Sequence, residues 1–231
     1  MKMRLIRDVA RAAAPNMAID EVLLRGQGRH LPVLRIYSWS SAACSIGYFQ
    51  DTRKVAAKLG PGKQGMTVVR RITGGGLVVH GSDVTLSLAV PGSWLPGDVK
   101  SSYLKVNEAL RTGFQGLWPA LDYADCKTVP SGRGQGDRIC FEAPTCYDLL
   151  LGSRKVVGAS QRRVDGAVLH HSAVFLPADA KTVARKIIEG FEKKWGAVFE
   201  EIPLTEEELR EAGEIERSRY ASEEWIIPAA S

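Results

Sequence analysis

Arg70 and Arg71 stand just ahead of Gly74-Gly75-Gly76, and His80 follows four residues after the last of these glycines. A residue without a Cβ reaches positive φ at little cost and lets backbone amides approach a ligand closely. Such amides, with two guanidinium groups beside them, suit the anionic end of an extended ligand: a carboxylate, a phosphate or a thioester oxygen. The apolar runs Met66–Val69 and Leu77–Val79 on either side read as strands. For this stretch alone, a plain hairpin turn carrying two solvated arginines is the competing reading.

Lys155 follows the turn residues Gly152-Ser153 and precedes Val156-Val157-Gly158. A lysine at a strand start beside glycine can act as a positive point charge on a carbonyl or phosphate oxygen. A solvated hairpin lysine is the alternative. Cys140 lies just after the glycine-rich basic segment Ser131-Gly132-Arg133-Gly134-Gln135-Gly136-Asp137. A thiol near positive charge gains thiolate character, and a thiolate exchanges readily with a thioester. Taken alone, Cys140 reads equally as a buried structural cysteine.

The elements that must position these groups follow from periodicity. A helix opens at Pro15-Asn16, with Asn16 as its cap and Met17, Ile19, Val22 and Leu23 at helical spacing. Asp20 and Glu21 fall in its first turns, where negative charge favours the dipole, and Gly26 and Gly28 stop it. Strands are predicted over Val33–Trp39, Ser45–Phe49, Val84–Val90, Tyr147–Leu151, Lys155–Val157 and Val168–Phe175. Helices are predicted over Thr52–Leu59, over Ser101–Leu117 with Leu104, Val106, Leu110, Phe114 and Leu117 inward, and over Ala178–Lys194. An acidic helical tail starts at Thr205. The order of elements predicts an α+β class with a mixed sheet rather than an alternating βαβ nucleotide fold.

The 231 residues carry a net charge of +5, which favours acidic partners. No zinc-finger, RNA-binding or helix-turn-helix pattern supports nucleic acid as one of them. No apolar run is long enough to span a membrane and the N-terminus lacks a signal-peptide core, so a cytoplasmic location is expected. The four cysteines, at 44, 126, 140 and 146, form no CxxC pair and are expected as free thiols in a reducing compartment. With histidines only at 30, 80, 170 and 171, no metal site is expected. There is no P-loop, no GxGxxG after a strand, no GxSxG elbow and no HExxH.

Five ordered segments resemble one family, that of lipoate-protein ligase A, the lipoyl/octanoyl transferases and the biotin protein ligases. They are Asn16-Met17-Ala18-Ile19-Asp20-Glu21, then Val33 to Trp39 with Ser45-Ile46-Gly47-Tyr48-Phe49-Gln50, then Arg70 through His80, then Arg154 to Arg163, and Leu169-His170-His171-Ser172. The resemblance implies a mixed β-sheet catalytic domain flanked by helices. It spans residues 1–231, with 200–231 a helical tail and no separate accessory domain. It implies an enzyme that joins a lipoyl or octanoyl group to one lysine of a lipoyl carrier domain. It assigns catalysis to Cys140 and Lys155. It assigns acyl binding to Arg70, Arg71, Gly74, Gly75, Gly76, His80, Gly158, Ala159 and His171.

Two chemistries compete within the family. The segment Cys140-Phe141-Glu142-Ala143-Pro144-Thr145-Cys146-Tyr147-Asp148 is similar to the CFxxPSxYE segment of cysteine-dependent octanoyltransferases, which use no cofactor. Gly76 departs from them, since they usually carry arginine there and ATP-dependent ligases carry glycine. The transferase reading leads; the alternative is lipoate ligation with ATP and Mg through an acyl-adenylate, with or without a separate accessory subunit. The expected partners are an acidic lipoyl carrier domain, of the glycine cleavage H protein or 2-oxoacid dehydrogenase E2 type, and acyl carrier protein as donor, with neither nucleic acid nor membrane. A biotin-type ligase and a non-catalytic binder of lipoylated proteins are the remaining readings.

Overall fold

A computed structural model describes residues 1–27, 31–58, 65–127, 141 and 144–227. Its strands are β1 (Lys2–Arg7), β2 (Val33–Tyr37), β3 (Ala43–Ile46), β4 (Thr67–Arg70), β5 (Val78–His80), β6 (Val84–Pro91), β7 (Leu121–Tyr123), β8 (Leu149–Leu151), β9 (Arg154–Val164), β10 (Ala167–Val174) and β11 (Val198–Glu201). Its helices are α1 (Ala13–Arg25), α2 (Thr52–Lys58), α3 (Val99–Phe114), α4 (Ala180–Trp195), α5 (Glu206–Ile215) and α6 (Glu223–Ile226). Eight strands form one mixed sheet in the order β11-β1-β2-β6-β10-β9-β8-β7, and three form a small sheet, β4-β3-β5. The α+β class read from the sequence is the architecture observed.

Alternating side chains give the large sheet two apolar faces. One packs Leu34, Leu86, Leu88 and Val168 against α3 and α4, through Val106, Leu110, Phe114, Ile187 and Phe191. The other packs Val33, Ala89, Ala167 and Leu169 against α1 and α5, through Met17, Ile19, Leu23, Ala212 and Ile215. The α3–α4 crossing depends on two small residues. A Cβ on Gly113 would sit 1.9 Å from the Lys186 carbonyl oxygen, and one on Gly190 would sit 2.1 Å from that of Ala109.

Several sequence expectations shift. The first helix starts at Ala13, not Asn16, so Asn16, Asp20 and Glu21 lie inside it and are buried. They are not caps or dipole partners but half of a buried polar network: Asp20 and Asn16 accept from Arg35, and Glu21 accepts from Tyr220. Leu117 lies beyond the end of α3 and is exposed. The glycine stretch does not close a hairpin, because β3 lies between β4 and β5. The strand predicted over Lys155–Val157 runs on to Val164, paired with β10 along its whole length from Val157.

The expectation of four free thiols fails at two positions. Cys126 and Cys146 form a disulfide with their Cα atoms 4.7 Å apart. The antiparallel pairing of β7 with β8 brings the residues just beyond their ends together. Cys44 is buried, its sulfur 3.8 Å from that of Met66. The glycine-rich segment 131–137 and Cys140 lie outside the described residues.

Candidate active site

The glycine stretch lies where the small sheet meets β9 of the large one. Gly75 holds φ +87°, a left-handed conformation natural to glycine. A Cβ there would stand 3.1 Å from the Arg71 guanidinium and 3.6 Å from the Cβ of Ser160. Gly47, at the end of β3, backs the same stretch: a Cβ on it would fall 2.0 Å from the Gly75 carbonyl oxygen.

The two arginines are buried and turned toward main-chain carbonyls, not solvated as a plain hairpin turn would leave them. Arg71 donates to the carbonyls of Ser45 (2.9 Å), Gly74 (2.7 Å) and Gly76 (2.8 Å), and to the Ser45 hydroxyl (3.1 Å). It sets the shape of the glycine stretch from inside. Arg70 donates to the carbonyls of Gly47, Tyr48 and Gln50 at 2.7–3.2 Å, to the Thr52 hydroxyl, and to the carbonyls of Trp225 and Ile226 at 2.9 Å each. The Trp225 indole returns a bond to the Arg70 carbonyl at 2.8 Å. One guanidinium thus bolts α6 to the turn after β3. A planar fork with five N–H donors can do this, and a lysine cannot.

Between the small sheet, β9, β10 and α1 lies a narrow cavity of about 30 Å³, lined among others by Met17, Tyr37, Trp39, Val78, Gly158, Ala159 and Ser172. That is room for about two waters. Arg71, His80, Gly158, Ala159 and His171, five of the residues assigned to acyl binding from the sequence, line it together.

Hydrogen bonds hold most of the polar groups around it. Thr73 joins the His171 Nδ1 (3.1 Å) and accepts from Ser160 (2.9 Å). The His171 Nε2 lies 3.0 Å from an Asp20 carboxylate oxygen, off the hydrogen-bond axis. Asp20 also accepts from Arg35 (2.7 Å), Tyr37 (2.8 Å) and Ser87 (2.5 Å). Burial alone would raise its pKa, but the charge of Arg35 and these bonds outweigh burial and hold it at about 2. His80 stacks on Trp39 with ring centres 3.8 Å apart. Burial pushes its pKa down, against the pull of its bond to Asp83.

Lys155 reaches this region because β9 is irregular. Leu149 pairs with Val157 and Leu150 with Lys155, so one step along β8 spans two along β9. The extra residue, Val156, is a β-bulge, which reverses the alternation of side chains on one side of it. Val156 and Val157 are accordingly both fully buried in the same core. Lys155 turns to the face of Gly158, where a Cβ would meet its Cε at 3.1 Å. The buried ammonium pairs with Asp148 at 2.7 Å. Asp148 is itself fixed by the Thr145 amide (2.6 Å) and hydroxyl (2.9 Å).

Phe141, the neighbour of Cys140 in sequence, covers this lysine. Its ring centre is 5.3 Å from the Lys155 Nζ and 4.6 Å from the ring of Phe175. A Cβ on Gly158 would stand 2.9 Å from the Phe141 ring, so the glycine makes room for it. Sequence reasoning missed Asp148, Thr73, Ser160, Gly47 and Ser45. Asp148 alone left a legible signal, an acid facing Lys155 across a tight hairpin. Among the described residues no group of three or more His, Cys, Asp or Glu could hold a metal ion. None of their helices is long and apolar enough to cross a membrane.

Comparison with known proteins adds three findings. Residues 12–213 match the lipoyl protein ligase A/B catalytic domain. The chain is 30% identical to octanoyltransferase LipM of Brevibacillus brevis, over 97% of its own length and 98% of that protein's. Its fold superposes on a lipoate-protein ligase A bound with ATP (TM-score 0.81, 24% identity, 98% and 99% of the two chains). It also superposes on a bi-partite lipoate protein ligase of Thermoplasma acidophilum, described with its E2 lipoyl domain (TM-score 0.78, 24% identity, 100% and 98%). At that identity the last two likenesses concern the fold.

Proposed function

This chain belongs to the lipoyl protein ligase A/B catalytic-domain family, and from that premise we propose that it transfers an octanoyl or lipoyl group from a thioester donor to a lysine of a lipoyl carrier domain. The near full-length likeness to an octanoyltransferase supports transfer over ligation. The observation that carries the mechanism is Phe141, seated on Gly158 and Lys155 one residue after Cys140.

The chemistry runs in two exchanges. The Cys140 thiolate attacks the thioester carbonyl, an S–C bond forms, the donor's C–S bond breaks, and the donor thiolate leaves, taking up the proton that the Cys140 thiol gave up on ionising. The acceptor lysine, as its neutral amine, then attacks the acyl-cysteine. An amide forms and the Cys140 thiol is restored by the proton the amine gives up. Both steps place negative charge on the acyl oxygen, and Lys155, fixed by Asp148 in a dry setting, is the cation that meets it. The chain's net charge of +5 suits acidic donors and acceptors, with acyl carrier protein and carrier domains of the H protein or E2 type as the proposed pair.

ATP- and Mg-dependent ligation is the second reading, favoured by glycine at position 76. Lys155 would serve there too, since the acyl oxygen again gains charge. Two reactions separate them: octanoyl-carrier protein with acceptor and no ATP, and free lipoate with acceptor, ATP and magnesium, each read by acceptor mass. Transfer in the first supports the proposal; modification in the second alone replaces it with ligation.

A further inference from the structure

One constellation on the cavity wall has no part in that mechanism. The Ser45 hydroxyl lies 2.8 Å from the His80 Nε2, and the His80 Nδ1 lies 2.8 Å from an Asp83 oxygen. All three side chains are buried, and Ser45 and His80 line the cavity. The β3–β5 register explains the first contact: His80 pairs with Ala43, placing the imidazole diagonally from Ser45 on the same face of the small sheet.

The remaining bonds fix the direction of each proton. Asp83 accepts from the Thr85 hydroxyl (2.7 Å) and the Gly81 amide (3.1 Å), so it is an acceptor throughout. The His80 Nδ1 therefore carries the hydrogen, and its Nε2 accepts from Ser45. The Trp39 ring holds the imidazole in this plane, and the Trp39 indole donates to Thr85 at 2.9 Å. The Arg71 guanidinium donates to the Ser45 oxygen at 3.1 Å, which places a positive charge beside it. A hydroxyl bonded to a base whose other nitrogen is held by a buried carboxylate is the arrangement that activates a serine for acyl transfer, and it is recognised by geometry rather than position in the chain.

The geometry points to Ser45, His80 and Asp83 as a second acyl-accepting centre, in which Ser45 takes an acyl group from a medium-chain thioester as an oxygen ester. The proton of the Ser45 hydroxyl passes to the His80 Nε2. The oxygen forms a bond to the carbonyl carbon, the C–S bond breaks, and the departing thiolate collects the proton from His80. Arg71, bonded to the Ser45 oxygen, keeps a positive charge beside the reacting group. Water attacking the ester by the reverse route releases the fatty acid, giving thioesterase activity. The acyl class rests on the proposed function; the nucleophilicity of Ser45 does not.

Two arms test this. In the first, the intact protein is incubated with octyl fluorophosphonate, which phosphorus-labels an activated serine with loss of fluoride. The expected result is one adduct on the peptide bearing Ser45, absent in Ser45→Ala and formed at least about tenfold more slowly in Asp83→Asn. A folded protein, judged by its circular dichroism and Tm, that carries no Ser45 adduct at saturation overturns the inference. In the second arm, Cys140→Ala is given an octanoyl thioester. An octanoyl mass on Ser45 that resists neutral hydroxylamine and yields to alkaline hydroxylamine supports the inference. Acylation of Cys140 in the parent, with none on Ser45 in Cys140→Ala, overturns it and leaves the transferase reading intact. Absence of acylation at both sites counts against the transferase reading, and the phosphonate arm then decides on Ser45 by itself.

Discussion

Lys155 and Gly158 point to the same side of β9 although they lie three positions apart in a strand whose side chains alternate. The bulge at Val156 is the cause. Without it, the ammonium would project into the apolar layer beneath α3 and α4, where Val157 and Leu149 now pack.

Lys155→Ala should lower acyl transfer by on the order of 10²-fold or more, since a preorganised cation in a dry site is lost. Deleting Val156 should have a similar effect by turning Lys155 to the other face. Transfer rates on carrier domains, alongside thermal melts, check both. A Val156 deletion that folds and turns over normally would mean that the bulge does not orient the lysine.

Gly158→Ala should slow turnover by about tenfold while changing stability by no more than about 1–2 kcal/mol. The new methyl stands 2.9–3.0 Å from the Phe141 ring and 3.1 Å from the Lys155 Cε, so both must shift. The effect should fall on kcat rather than on KM for the acceptor. Unchanged kcat would show that Phe141 does not position its neighbour Cys140.

Arg70→Ala should destabilise the fold by about 3 kcal/mol or more, because it strips charge-assisted bonds from five main-chain carbonyls. Urea unfolding measures the loss. Trypsin should also cut at Arg217 and Arg219 sooner than in the parent, as α6 comes away from the turn after β3. Arg70→Lys should rescue little, since one ammonium cannot reach both segments.

Stability should decline as pH falls from about 6.5, and His170 should account for part of that slope. Burial, and secondarily the charge of His171, hold its pKa at about 3 in the fold, against an ordinary value of 6.5. Between these values the unfolded chain takes up a proton that the folded chain refuses, so acid favours unfolding by at most about 1.4 kcal/mol per pH unit. Asp20 has the same sign in a lower window, losing its contribution as pH falls from about 4 toward 2. His170→Gln should flatten the dependence of Tm on pH between 7 and 5. Parallel curves for parent and variant would reject this assignment.

The class of fold was legible in the sequence because periodicity and glycine punctuation are local, while Arg71, His80, Gly158, Ala159 and His171, which line one cavity, were named together only through the family resemblance. The bulge was not, since Val156 and Val157 are both apolar and hide the extra residue. The task of Arg70 was hidden too: its carbonyl partners at Trp225 and Ile226 lie more than 150 residues away. Asn16 and Asp20 read as helix-start residues because Arg35, which makes them interior groups, sits on another element.

The bond between Arg70 and α6 has a consequence for synthesis on the ribosome. The turn that backs the glycine stretch gains its clasp only once Trp225 has emerged, 155 residues after Arg70. At ordinary translation speed that is a wait of roughly 8–30 s. β1 waits longer still for β11, its neighbour in the sheet, since Lys2 pairs with Val198. The nascent chain thus carries an open strand edge and an unclasped turn through most of its elongation, and chaperone contact during that interval should concentrate on these two places.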